Sequence, residues 1–293
     1  MTGRKLLLLG FAGLVTGCAV AGAAQTLLYE KTSPYNKIVV TEDENGLRTL
    51  SFGDDVRQSV AKPGDPDHIE LPYARAMPIG LAVVEEPKRI LIVGLGGATI
   101  PNFLHKHYPR TMIDVVDIDP DVVVVAKKFF GFKEDPTIRA HVADGRKFIE
   151  QSRDRYDIIF LDAYGHDNIP YHLATREFLQ AARRALTPKG IVVGNVWSNT
   201  SNPLYDAMVR TYQDVFRDLY VVDVQGAGNR ILIALPWEGR LRQDDVAQRA
   251  RRISAEKRFR FDMGDVVLRG FQRATEINPA ARVLTDASKP GRR

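Results

Sequence analysis

Five apolar runs recur along the middle of the chain: RILIVG (89–94), MIDVVD (112–117), IRAHVAD (138–144), YDIIFLD (156–162) and GIVVGNVW (190–197). Each is followed by a segment with helical spacing, near 98–107, 120–130, 145–152, 174–186 and 203–216. The runs are short and carry apolar residues back to back, so they read as strands buried on both faces. Strand and helix in strict alternation imply a parallel sheet wrapped by helices on both sides. Two further runs, LYVVDV (219–224) and RILIAL (230–235), lie too close together for a crossover helix, so the last strand is expected to run antiparallel to its neighbour.

A seven-stranded α/β sheet ending in this way is the pattern of Rossmann-like, methyltransferase-type nucleoside-binding folds rather than of NAD dehydrogenases. Ahead of it, KIVVTEDENGLRTLSFGDDVRQSVA (37–61) reads as short strands, with a hairpin signal at Glu44-Asn45-Gly46. The cluster KPGDPD (62–67) then breaks the chain before a helical stretch from about Ile69 to Val83. The expected organisation is a leader (1–24), a small N-terminal β-rich unit with its helix (25–85), a Rossmann-like nucleoside-binding domain (86–238) and a basic helical tail (239–293). A chain of 293 residues with 44% hydrophobic content can bury a core of that size.

The formal charge of +5 is uneven, since residues 239–293 hold 14 Lys/Arg against 7 Asp/Glu. In ARRISAEKRFRF (250–261) the charges interleave with apolar residues as on the solvated face of a helix, so no nucleic-acid partner is expected. At the other end, Arg4 and Lys5 precede an uncharged stretch from Leu6 to Ala24, as in the n-region and h-region of a secretory signal. Val15-Thr16-Gly17-Cys18 resembles a lipobox, Ala21-Gly22-Ala23 offers an A-x-A cleavage site, and an uncleaved anchor is the third reading. Each makes the chain exported or membrane-anchored through its N-terminus, as a lipoprotein or on the periplasmic side. Cys18 is the only cysteine, which excludes a disulfide within the chain.

In an open parallel sheet, ligands sit beyond the carboxyl ends of the strands. The first strand ends in Gly94-Leu95-Gly96-Gly97-Ala98, a turn whose glycines admit close approach of a ligand. The second ends in Asp117-Ile118-Asp119-Pro120. Asp117 is placed to accept hydrogen bonds from ribose hydroxyls, and Asp119, just before Pro120, is read mainly as a helix cap. The third ends in Ala143-Asp144-Gly145, a further carboxylate that is also a candidate N-cap. Together these form a nucleoside signature.

The run from Lys88 to Trp197 resembles the spermidine synthase (polyamine aminopropyltransferase) family, through VDIDPDVVVVAKKFF, DPTIRAHVADGRKFI, YDIIFLDAY and HLATREFLQAARRALTPKGIVV, with a weaker likeness back to SPYNKIVV (33–40). The resemblance implies transfer of an aminopropyl group from decarboxylated S-adenosylmethionine to an amine, with release of methylthioadenosine. It implies a small-molecule amine and an adenosyl sulfonium ligand as partners, a homodimer and no tightly bound cofactor; no metal is expected, since His166 and His172 lack a convincing third ligand, Asp167 alone keeping such a site formally possible. By the same resemblance Asp117 binds ribose, Asp144 the adenine amino group, Gly94, Gly96 and Gly97 with Gly145 the nucleoside backbone, and Asp162 is the first aspartate of the D-S-x-D motif.

Several positions depart from the family pattern. The second aspartate of that motif, taken as the usual proton acceptor, falls at Gly165; the G-G-G-D-G turn has no acid; Y-H-E appears as Tyr73-Ala74-Arg75; and Asn36 stands where the family has glutamine. The form D-A-[FY]-x-x-D-x-I-P-x-H-L resembles the spermidine synthase-like domains fused to membrane segments in bacteria, and Asp162, Ala163, Tyr164, Asp167, Ile169, Pro170, His172 and Leu173 fit it. Asp167 is the candidate replacement base, with His166 and His172 behind it. Tyr164 is expected to line the pocket. Tyr73 and Arg75 are expected to close its other wall, Arg75 favouring an acceptor with an anionic group. A methyltransferase using S-adenosylmethionine and a non-catalytic nucleoside- or polyamine-binding protein are the rival readings.

Overall fold

The computed structural model describes residues 25–53, 56–165, 169–276 and 278–288. The leader, His166 and Asp167 lie outside them. The chain opens on an antiparallel meander of β1 (Thr26–Thr32), β2 (Lys37–Glu42), β3 (Arg48–Phe52) and β4 (Val56–Ala61). The Glu44-Asn45-Gly46 hairpin is present, with Gly46 at φ 73°. One face of the meander buries Ile38, Val40, Leu50 and Phe52. Strand β1 carries no strand signature in the sequence: TLLYEKT is mostly exposed and lacks a period-2 apolar pattern.

The helical stretch expected over 69–83 is shorter and broken. Helix α1 (Pro72–Ala76) gives way to a 3-10 segment, Met77–Ala82, whose residues are all buried. Pro78 supplies no amide for an α-helical bond, which ends α1 there. A Cβ at Gly80 would stand 2.7 Å from Val193, so this segment lies directly on the main sheet.

The main sheet is built from β5 (Arg89–Val93), α2 (Thr99–His107), β6 (Met112–Asp117), α3 (Pro120–Phe129), β7 (Ile138–Val142), α4 (Gly145–Gln151), β8 (Tyr156–Leu161), α5 (Arg176–Arg184), β9 (Leu186–Trp197), α6 (Tyr205–Val215), β10 (Asp218–Asp223) and β11 (Asn229–Leu235). Its order is β12-β10-β11-β9-β8-β5-β6-β7, with β12 the short strand Phe271–Arg273. Strands β5 to β9 pair in parallel, and β11 is antiparallel to both β9 and β10, as the short 219–235 spacing requires. The expected seven strands are thus extended by an eighth from the tail. Three residues are too few to carry a strand signature in sequence.

Successive residues of β5 point to opposite cores. Ile90 and Ile92 pack with α2, α3 and the meander, whereas Leu91 and Val93 pack with α4, α5 and α6. A sheet covered on both faces explains why these runs are continuously apolar, each fully buried Ile or Leu contributing about 1.5–3 kcal/mol. The tail adds α7 (Gln243–Glu256) and α8 (Met263–Gly270). Helix α7 buries Val246, Ala247, Ala250 and Ile253 and turns its basic residues outward, where Arg251 pairs with Asp265 at 3.1 Å and Arg252 with Glu85. Among the described residues no helix is long and apolar enough to cross a membrane.

Candidate functional site

The strand order reverses at β5, with β6 on one side and β8 on the other, which opens a crevice at the carboxyl ends of these strands. A cavity of about 530 Å³ occupies it, roofed by the meander and α1. Gly94, Gly96, Asp117, Asp144, Gly145, Asp162, Tyr73, Tyr164 and Gly165 all line it.

The glycine turn is shaped by contacts a side chain would destroy. Gly94 has φ 104°, and a Cβ there would stand 2.2 Å from the carbonyl oxygen of Asp162. Gly97 sits behind the wall rather than on it: its amide donates to Ser59 Oγ at 2.9 Å, and a Cβ would meet Ser59 Cβ at 2.7 Å. The acid missing from this turn is therefore missing with its space filled by β4. Asp117 closes the turn from the next strand. Its Oδ2 accepts the Leu95 amide and its Oδ1 the Asp119 amide, both at 2.9 Å. Burial pushes its carboxyl up to about 6 against the pull of those amides.

Asp119 caps α3, accepting the Asp121 amide at 2.9 Å, and takes a hydrogen bond of 2.5 Å from Ser33 Oγ. Asp119 is thus the cap of α3, and Asp117 lines the cavity. Asp144 does two things at once. Its Oδ1 caps α4 through the Lys147 amide at 3.0 Å, and its Oδ2 lies 2.8 Å from His172 Nε2. Burial raises its carboxyl, but the Lys147 amide and the His172 ring outweigh that and hold it below the usual carboxylate range. His172, a candidate base in the sequence, is thus the partner of Asp144 at the carboxyl end of β7.

Asp162 follows β8 directly. Asn195 Nδ2 donates to its Oδ1 at 2.8 Å, and Asn229 Nδ2 donates in turn to Asn195 Oδ1 at 2.9 Å. Burial is the main influence on its acidity and pushes the carboxyl up to about 7, the Asn195 bond opposing it. Tyr164 donates to the Asn195 carbonyl at 2.9 Å and stacks on Trp197, ring centroids 5.2 Å apart. Tyr73 donates to the Gln58 carbonyl at 3.0 Å, and burial raises both phenols well above their ordinary value. Asn36 lines the cavity with a buried Oδ1 that has no hydrogen-bond partner among the described residues.

Arg75 does not close the wall. It is exposed, with Nε donating to the Ile69 carbonyl at 2.6 Å. Two residues beyond Tyr73 on a helix is a rotation of roughly 200°, so the two side chains face opposite ways. The arginine that lines the cavity is Arg57 of β4. Asn195 and Asn229 also line the cavity, positions that no motif in the sequence marks. A polar residue inside the apolar run GIVVGNVW was the available signal for Asn195. Asp167, the candidate replacement base, lies outside the described residues.

A glycine turn after the first strand, acids after the second, third and fourth, and a 3-2-1-4-5-7-6 order define a nucleoside-binding protein of the methyltransferase-type Rossmann class. The spermine/spermidine synthase domain is matched over residues 73–224, and the chain belongs to that family. It is 36% identical over 218 residues to the polyamine aminopropyltransferase of Vibrio vulnificus, covering 72% of each chain. A probable spermidine synthase from Corynebacterium glutamicum superposes with a TM-score of 0.70 at 20% identity, covering 88% of this chain and 96% of that one. Human methyltransferase-like protein 13, solved in complex with SAH, superposes with a TM-score of 0.58 at 30% identity, covering 64% of this chain and 93% of that one.

Proposed function

We propose that this protein is an aminopropyltransferase that moves the propylamine arm of decarboxylated S-adenosylmethionine to an amine and releases methylthioadenosine. The observation that carries the reading is Asp162: a shielded carboxyl, held by Asn195 and pushed up to about 7 by burial, in the same cavity as Asp117 and Asp144. An ammonium has no lone pair, so the acceptor must lose a proton before its nitrogen can attack. A carboxylate titrating near neutrality both attracts the ammonium and takes that proton. The nitrogen then bonds to the propyl carbon next to sulfur, and the C–S electron pair returns to sulfur and quenches its charge. Nothing in this step requires the second aspartate replaced by Gly165.

The other residues take binding roles. Asp117 serves the ribose hydroxyls, Asp144 the adenine amino group, Gly94, Gly96 and Gly145 the close approach of the nucleoside, and Asn36 Oδ1 offers an unpaired acceptor to a ligand hydroxyl or N–H. Tyr73, Tyr164 and Trp197 form an aromatic wall that orients the acceptor. Methyl transfer from S-adenosylmethionine is the second reading, favoured by Ser59 standing where the turn lacks its acid and by the SAH-bound neighbour. The apolar stretch 6–24 supports export or anchoring as a companion proposal, checked by fractionation of cells expressing the full chain.

The test is ligand stabilisation of the purified full chain together with turnover. Methylthioadenosine near 100 times its dissociation constant should add about 2.7 kcal/mol, and Asp117→Ala should remove that gain. Methylthioadenosine should be released from decarboxylated S-adenosylmethionine only when an amine is present. Release of S-adenosylhomocysteine from S-adenosylmethionine instead would transfer the assignment to methyl transfer, and no response to any nucleoside would end both.

A further inference from the structure

A strap from the tail, 284–288, lies outside the cavity yet braces one of its walls, and this bears on nucleoside binding, granted the nucleoside site proposed above. The wall is a 3-10 turn, Tyr171–Leu173, from which His172 and Leu173 line the cavity. None of its three residues is buried. A turn this short has poor hydrogen-bond geometry, and its position is set by its neighbours. One neighbour is the core under α4, α5 and α6, against which Tyr171 and Leu173 pack. The other is the strap, which lies beyond residue 224, where the match to the family domain ends.

Leu284 anchors the strap. It is fully buried, its amide donates to Thr211 Oγ1 at 2.9 Å, and its carbonyl accepts the Arg176 amide at 2.8 Å. From that anchor the strap reaches the turn directly, Tyr171 Oη donating to the Thr285 carbonyl at 3.2 Å and sharing a hydrogen bond of 3.0 Å with Ser288 Oγ. It also grips the start of α4. Arg146 donates from Nη1 and Nη2 to the two carboxylate oxygens of Asp286, each at 2.7 Å, a bidentate pair that fixes orientation as a single surface contact does not. Arg146 Nη1 lies 3.5 Å from the His172 carbonyl as well. The strap therefore ties the helix that begins after Asp144 to the turn that carries His172. The Lys147 amide holds Asp144 Oδ1, but the terminal torsion of an aspartate is broad, and the carboxylate plane is set only when Oδ2 is held too. Its partner there is His172 Nε2, at 2.8 Å. We propose that Asp286 is a positioning residue for nucleoside binding: with Arg146 and Tyr171 it keeps His172 against Asp144 and so presents that carboxylate to the ligand.

The test is the methylthioadenosine Kd of the full chain, by titration calorimetry well below the melting temperature of each variant. Asp286 is exposed, so its variants should fold. Asp286→Ala should weaken binding about fivefold, within the coupling seen between residues of one network. Asp286→Asn, which keeps one acceptor for Arg146, should fall between it and the parent. Tyr171→Phe keeps the ring and loses both hydrogen bonds to the strap, and it should act in the same direction. His172→Ala should cost about tenfold. Combining Asp286→Ala with His172→Ala separates positioning from general loosening. An effect carried through His172 leaves the double variant no weaker than His172→Ala alone, whereas loosening multiplies the two losses. Multiplied losses, or a Kd for Asp286→Ala equal to the parent's, overturn the inference while leaving the nucleoside site intact. A parent chain that binds no methylthioadenosine overturns the nucleoside reading and the inference with it.

Discussion

Asn195 Nδ2 donates to Asp162 Oδ1 at 2.8 Å, and the Asn195 amide is itself fixed because Asn229 donates to its Oδ1 at 2.9 Å. Strand pairing produces this chain: β9 and β11 run antiparallel with Ile231 opposite Asn195 and Asn229 opposite Trp197, so two amides 34 residues apart meet at the carboxyl end of β8. The arrangement leaves Asp162 Oδ2 free of any protein donor among the described residues. A hydrogen bond to an ionised group contributes about 1.5–3 kcal/mol, and here it opposes the upward push of burial. Asn195→Ala should therefore move the acidic limb of the kcat/KM profile upward by about one pH unit, costing about fivefold in rate at pH 7 and little at pH 9. A profile that drops evenly at all pH values would mean that Asn195 acts on something other than the acidity of Asp162.

Removal of the carboxylate itself should be more severe. General-base catalysis contributes about 10²–10⁴-fold, so Asp162→Asn should lower kcat by that range. Methylthioadenosine affinity should stay within a few-fold, since the nucleoside roles proposed for Asp117 and Asp144 do not involve this carboxylate. The parent enzyme should gain activity as pH rises through about 7, the value to which burial pushes Asp162. Turnover surviving in Asp162→Asn would point to the loop segment that contains Asp167.

The same carboxyl makes a stability prediction with a definite sign. Its folded value of about 7 lies above the ordinary 3.8, so between those values the folded chain keeps a proton the unfolded chain has lost. Stability must then fall as pH rises from about 4 to 7, by up to about 1.4 kcal/mol per pH unit for this group. Asp117, raised to about 6, adds to the slope in the lower part of the window. Asp144 is held below its ordinary value, so its contribution is present above about pH 4 and is lost as pH falls through its folded value. Denaturant melts of the ligand-free protein at pH 5 and 7.5 should show greater stability at pH 5, and Asp162→Asn should flatten the difference.

What could be read from residues alone follows the physics of each element. The five parallel strands were legible because burial on both faces demands continuous apolar runs, and the ligand-binding edge followed from strand order. Asp119 was legible because a carboxylate before proline has a local role. Positions set by tertiary geometry were not. Arg75 neighbours Tyr73 in sequence but faces away from it on α1, whereas Arg57 reaches the cavity only because β4 is folded over the glycine turn. Asn195 and Asn229 become partners through an antiparallel pairing whose register no local pattern encodes. The role of Ser59 against Gly97 belongs to the same class: it joins the meander to the sheet across 38 residues of chain.

Gly94 provides the sharpest structural test, because one added methyl should damage fold and site together. Its φ of 104° is one that residues with a Cβ rarely adopt, and the new atom would stand 2.2 Å from the carbonyl oxygen of Asp162 and 2.7 Å from its carbonyl carbon. Backbone cannot swing aside as a flexible side chain can, and both strands are pinned, with the Gly94 amide bonded to Val116 O at 2.8 Å and the Asp162 amide to Val93 O at 2.9 Å. Relief requires β5 and β8 to part at the floor of the cavity. Gly94→Ala is expected to cost about 3 kcal/mol or more, combining conformational strain with overpacking. Gly46→Ala is the control: φ is also positive, but nothing lies within 4 Å of the added atom, so only the strain remains and the loss should be about 1–2 kcal/mol. Urea melts of the two variants should separate by more than 1 kcal/mol, and equal losses would mean that the contact with Asp162 carries no part of the cost.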